Sequence, residues 1–385
     1  MKASIQRKTK KLHRVNVRKL AVLKQTLFLV SSFLLTGLVT TMPVVAQVSP
    51  PLLLSQEQAN AQLNQLLRRG RELADAGDYR GAIAIYQQAT SLDGQNAKIF
   101  SGIGYLHTRQ GNFTDAARAY QQATALDPNN AEFHYALAYS FASAGDNTSA
   151  VAAYRSAIQL NGNNVNYYYG LGAVLLREKD YDGAIAAYRQ VLNLQPRNAP
   201  VYELIGQVLL DQGRPQEAVK SLQQAVTLAP RQSSAQMRLG LAWLRQGNKN
   251  DALAAFEKAA QLDPNSGEVF LLMGKLLQSQ KDLSGAVDAF QRAIALQPNS
   301  TEAQAAMGEI FLSQENYMEA IVAYRRLTEI APQDPQAYYN LGLALKGRDR
   351  TSEAISAIEK ARDLYKRQGN SQGVRQAESL LRELK

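Results

Sequence analysis

The chain has 385 residues, 45% of them hydrophobic and 20% charged, with 25 glycines and 12 prolines. This is a globular composition, and it excludes disordered, collagen-like and multi-spanning membrane classes. The formal charge of +10 is concentrated at one end: residues 1–46 hold nine Lys/Arg and no Asp or Glu, so the near-neutral remainder offers no nucleic-acid surface.

The N-terminal segment is basic up to Lys24, and Leu27 to Val45 then carry no charge. Val44-Val45-Ala46-Gln47 follows, with small side chains at the spacing of a signal-peptidase site. This predicts a signal peptide over residues 1–46, cleaved after Ala46. The alternative is an uncleaved anchor, because nineteen uncharged residues from 27 to 45 just suffice to span a bilayer. Ser31, Ser32, Thr36, Thr40 and Pro43 dilute that run. In either case the rest of the chain is expected outside the cytoplasm, periplasmic or secreted, since the basic end stays inside. Residues 47–62 are expected to form a linker containing Ser49-Pro50-Pro51, with the first helix starting after Ser55 as its N-cap.

From residue 63 a period of 34 dominates. Ala82, Ala116, Ala150, Ala184, Ala218, Ala252, Ala286, Ala320 and Ala354 fall on it without exception. Twelve residues before each stands a glycine, except Ala138 in the third unit. Four residues after each comes Tyr, Phe, Leu or Ile, as in Tyr120, Tyr188 and Phe256. Proline recurs twelve residues after the alanine, from Pro128 to Pro332, in six of the nine units. Within a unit, apolar residues recur at three- and four-residue steps, as in Tyr202, Ile205 and Leu209, which predicts amphipathic helices. Each unit is therefore expected to be a helical hairpin. Its Gly and Ala slots let the two helices approach closely. Its aromatic slot is expected to fill space between neighbouring units. Past residue 368 the period fails, but Val374, Ala377 and Leu381 mark one more helix within 369–385, read as a cap over the last apolar face.

Leu171-Gly172, Ala184, Tyr188 and Pro196, like Leu239-Gly240, Trp243, Ala252, Phe256 and Pro264, make the chain resemble the tetratricopeptide repeat family. The resemblance implies an all-α, right-handed superhelical solenoid of nine tandem helix-turn-helix units over 63–368, closed by a C-terminal capping helix. The first unit departs from the pattern, with Arg69 where leucine is expected. This suits an N-terminal unit with a polar outer face.

Little catalytic chemistry is available. There is no cysteine, and the only histidines are His13, His107 and His134. The last two occupy slots that hold aromatic residues in other units. No nucleophile elbow, Walker loop or dinucleotide turn is present, and no catalytic residue, metal or cofactor is expected. Function is therefore expected on the concave face that the resemblance implies. The fifth, ninth and thirteenth positions of each first helix lie four residues apart on one helix face. They supply Tyr105 and Arg109, Tyr135 and Tyr139, and Tyr169 and Arg177 in units two to four. In units six and seven they supply Met237, Leu241, Arg245 and Leu271. Tyr and Arg are enriched where binding energy concentrates, so these ten are the candidate partner-binding residues. The alternative is that the rings pack within the array. The lysine and asparagine clamp by which some of the family hold acidic chaperone C-termini is not reproduced, since asparagine occupies the sixth position only at Asn340. The expected role is a non-catalytic scaffold that binds a protein or peptide segment outside the cytoplasm, with assembly of an envelope or membrane complex as a candidate task. A glycan-binding module or a regulatory subunit of an enzyme complex are the alternatives. No nucleic-acid partner is expected, and the membrane is met only through an uncleaved N-terminal segment.

N-terminal sequencing of the exported chain is expected to begin at Gln47. Full-length protein held in the membrane fraction would instead establish the anchor.

Overall fold

The computed structural model describes residues 50–385, with side chains from residue 55 onward. The expected signal segment lies outside the described residues. Residues 62–385 form one compact unit, separate from the described residues before them. Among the described residues there are 19 helices and no strand. In chain order they are α1 (Pro50–Asp75), α2 (Tyr79–Leu92), α3 (Ala97–Gln110), α4 (Phe113–Leu126), α5 (Ala131–Ala144) and α6 (Asn147–Leu160). There follow α7 (Val165–Arg177), α8 (Tyr181–Leu194), α9 (Ala199–Asp211), α10 (Pro215–Leu228), α11 (Ser233–Arg245) and α12 (Lys249–Leu262). The last are α13 (Gly267–Ser279), α14 (Leu283–Leu296), α15 (Thr301–Ser313), α16 (Tyr317–Ile330), α17 (Pro335–Lys346), α18 (Thr351–Arg367) and α19 (Ser371–Leu384). Each odd-numbered helix up to α17 forms a hairpin with the even-numbered helix after it. Successive hairpins stack in an all-α solenoid.

The first helix differs from expectation. It begins at Pro50, so Ser55 lies inside it and is not its cap. The physical reason is that proline is well suited to the first turn of a helix, where its missing N–H has no partner to lose. No breaker follows until the turn after Asp75. The side chains of residues 55–61 are exposed, whereas Leu63, Leu66 and Leu67 pack on the first core cluster around Ala82 and Ile99.

Capping defines where the second helices start. Asp78, Asp146, Asp180 and Asp282 each accept a hydrogen bond from the backbone N–H three residues on, at 2.9–3.1 Å. Such a cap satisfies an otherwise orphaned helical donor. The residue just before the turn's end is left-handed in every hairpin. It is glycine in five units, but Lys179, Lys281, Glu315 and Asp349 in the others, with φ of 55–66°.

Packing explains the period. All nine repeated alanines are fully buried. The glycine twelve residues earlier receives the bulky side chain of the second helix of its own unit. A Cβ on Gly104 would lie 2.8 Å from the Tyr120 ring, one on Gly172 2.6 Å from Tyr188, and one on Gly240 2.6 Å from Phe256. The ring also reaches the next unit, since a Cβ on Gly102 would lie 3.1 Å from Tyr86. The aromatic slot thus fills two spaces, one inside the hairpin and one between hairpins. At the far end, Ala377, Leu380 and Leu381 of α19 cover Ile358, with Tyr339 and Leu343 packed alongside.

Gly240→Leu is expected to destabilise the array by roughly 1–3 kcal/mol or more through overpacking against Phe256. A leucine at exposed Lys258 should shift the urea midpoint little. Equal midpoints for the two variants would contradict the packing described.

Candidate functional site

The fifth, ninth and thirteenth positions of the first helices form a row along the stacked units, and its two halves differ. In unit two, Tyr105 and Arg109 of α3 are one turn apart and meet Tyr79 at the start of α2. The Arg109 guanidinium lies 5.1 Å from the Tyr79 ring centre and 5.8 Å from that of Tyr105. It donates to the Tyr105 hydroxyl at 2.9 Å and to the Tyr79 hydroxyl at 2.6 Å. The hydrogen bond to Tyr105 is the main cause holding Arg109 above its ordinary pKa. Arg109 itself is exposed, while both rings are half-buried. Planar guanidinium on aromatic faces is a favourable pairing that leaves further N–H donors for a ligand.

Tyr139 in unit three is half-buried and packs edge-on against Phe113, with ring centres 6.2 Å apart. Tyr135 is a core residue, 8% exposed, with Tyr167 at 5.1 Å and Tyr154 at 6.0 Å. Burial pushes its hydroxyl pKa up. Tyr169 is half-buried beside Tyr188, and its hydroxyl donates to Asn198 Oδ1 at 3.1 Å. Burial also raises its pKa.

The other two arginines are hooks. Arg177 donates to the Ala142 carbonyl at 2.7 Å, and Arg245 to the Leu210 carbonyl at 2.8 Å. Each reaches 35 residues back to the last turn of the preceding unit's first helix. Carbonyls there carry the negative end of the helix dipole, and that of Leu210 accepts the Gly213 N–H at 3.1 Å as well. Met237 and Leu241 pack with Trp243 on the cluster around Phe256 and Leu276. Leu271 packs on the Phe270–Phe290 cluster.

The structure therefore brings Tyr105 and Arg109 together, leaves Tyr139 accessible nearby, and puts Tyr135 into the core. Tyr79 and Phe113 complete the aromatic face, although helix-face spacing does not select them. Both are the first residue of a second helix, and that shared place was the available signal. The row changes character in units five and six. Glu203, at the fifth position, accepts from Arg238 at 2.9 Å, Gln232 at 2.8 Å and Ser234 at 3.3 Å. Arg238 also donates to Gln207. Among the described residues no cluster of His, Cys, Asp or Glu could hold a metal. His134 bonds instead with the Pro128 carbonyl, at 2.9 Å. No described helix is long and apolar enough to cross a membrane.

Comparison with known proteins bears on the repeats that carry this face. One tetratricopeptide repeat model matches residues 67–131, 102–164, 135–201 and 204–267, a second matches 244–310 and a third 335–368. A further TPR repeat model matches 308–347. Together they extend over most of the hairpin array. No curated protein matches. Among solved structures, the C-terminal part of a TPR repeat-containing protein from Cytophaga hutchinsonii is similar at a TM-score of 0.55 and 15% identity, covering 62% of this chain and 98% of that one. It supports the fold alone. YrrB, described as a TPR protein with an unusual peptide-binding site, is similar at a TM-score of 0.43 and 25% identity, covering 49% and 98%. MamA is similar at 0.43 and 24%, covering 46% and 96%.

Replacing the hooks is expected to loosen the stack. Arg177→Met and Arg245→Met should each cost roughly 1.5–3 kcal/mol, the usual size of a hydrogen bond to a charged group. Urea unfolding checks this. Undiminished stability would free both arginines for a partner.

Proposed function

Because this chain belongs to the tetratricopeptide repeat family, we propose that it is a non-catalytic scaffold that holds a peptide segment of another protein on the first-helix face of units two and three. The family supports a protein-interaction role. The observation that carries the finer reading is the Tyr79–Tyr105–Arg109 cluster, with Tyr139 and Phe113 beside it. Half-buried rings held rigid by packing bind at low entropic cost. The exposed guanidinium, with two donors already oriented by tyrosine hydroxyls, suits a carboxylate or a backbone carbonyl of the segment. Export of residues 47–385 after removal of 1–46 belongs to the same proposal. The acid-free basic start, the uncharged run and Val44-Val45-Ala46 support it. Such a scaffold would act on proteins in the envelope.

The experiment is capture from an envelope extract by wild type and by the Tyr105→Ala/Tyr139→Ala double variant, with circular dichroism of both. Each lost anchor is expected to cost roughly 1–3 kcal/mol of binding, or about tenfold to a hundredfold in affinity, with helicity retained. Arg118→Ala and Lys258→Ala, on second helices, should leave capture unchanged. Unchanged capture by the tyrosine double variant would move the site away from units two and three.

A further inference from the structure

The outer face of α16 in unit eight breaks a rule that the other units keep. Val322 is 67% exposed and Met318, one turn before it, 49%. They form an apolar pair on a second helix that is otherwise polar towards solvent. The repeat supplies its own control. The same two places hold Asp182 and Ala186 in unit four and Ser352 and Ser356 in unit nine. In the remaining units they hold Ala, Ser, Thr, amide or charged residues, and nowhere else a large apolar side chain. Isolated exposed apolar residues are ordinary. A pair one turn apart, at places polar or small in every sister unit, is not explained by hairpin packing.

The charges around the pair indicate what covers it. Glu319 and Arg326 are three residues before and four residues after Val322. At 100° per residue both fall within about 60° of it on the same flank of the helix. Glu319 is exposed, and its side chain makes no hydrogen bond or ion pair. Arg326 has only an exposed pair with Glu329 on its own helix, at 2.8 Å, of the kind that contributes little. When two such helices meet antiparallel about a two-fold axis at Val322, Val322 packs on Val322. Each Glu319 then faces Arg326 of the other copy. The face is complementary to itself, which is what a closed two-fold interface requires.

We propose that the outer face of α16 is a self-association surface through which two copies of this chain pair antiparallel, with Val322 and Met318 at the centre and two reciprocal Glu319–Arg326 ion pairs at the edge. The contact lies on the outer face of a second helix in unit eight, whereas the proposed peptide face is built on α3 and α5 with the starts of α2 and α4. Pairing would therefore present two peptide faces in one assembly, and multiply their avidity for a repeated or clustered partner.

Sedimentation velocity of the full chain over a wide concentration range tests this. Wild type is expected to show a reversible monomer–dimer equilibrium. Val322→Glu should raise the dimer dissociation constant by at least about tenfold, without loss of helicity by circular dichroism, because the position is exposed. Glu319→Arg and Arg326→Glu should each weaken the dimer, and the double variant carrying both should restore it towards the wild-type value. A wild type that is monomeric throughout, or a dimer indifferent to Val322→Glu, would overturn the proposal. So would failure of the double variant to recover pairing lost in the single ones, since only a self-facing arrangement predicts that rescue.

Discussion

The structure depends on a bulky side chain lying on a glycine. The residue four places after the repeated alanine presses on the glycine of its own first helix, and in unit one it also presses on a glycine of the next first helix, at Gly102. One side chain thus closes the hairpin and joins it to its neighbour. Where the ring is absent, Leu222 and Ile358 fill the same gap against Gly206 and Gly342. In unit three the glycine is replaced by Ala138, and Tyr154 presses on Gly170 of the following unit. No hairpin buries its apolar faces alone, so each is stable through its neighbours. The ends need special treatment, which α19 supplies at one end and the solvent-facing Arg68 and Arg69 reflect at the other.

The proposed binding face follows from this arrangement. Fixing one side of every first helix in the core leaves the opposite side free to vary. That free side has diverged along the array, from tyrosine and arginine around α3 and α5 to the Glu203–Arg238 network around α9 and α11. The backbone scaffold is common to all units, and the proposed recognition is local to a few of them.

Much of the fold was legible because the repeat is its own alignment: nine alanines and eight glycines at one spacing point to one packing contact repeated along the array. The helix face of Tyr105 and Arg109 was legible for the same reason. The start of α1 was not, because Ser55 resembles a cap as much as the Pro50-Pro51 pair resembles a linker. Local chemistry allowed both, and the proline pair prevailed as a helix start. The hooks of Arg177 and Arg245 were hidden because spacing defines which face a side chain leaves from, and not how far a long one reaches. Tyr135 and Tyr139 are one turn apart, yet one is core and the other accessible. The difference lies in Tyr154 and Tyr167, contributed by other helices, which no reading of a single helix reveals.

The left-handed turn residues carry a further consequence. Units seven, eight and nine close their hairpins with Lys281, Glu315 and Asp349, where units one to three use glycine at no steric cost. A side chain in that conformation costs on the order of 1 kcal/mol, and apart from Lys179 in unit four these turns fall in succession at one end of the molecule. In a chain where each unit leans only on its neighbours, strain is not shared out over the whole. The array is therefore mechanically polar. On this count the C-terminal units are expected to open before the others, and α19, packed on Ile358, then serves as a latch on that end.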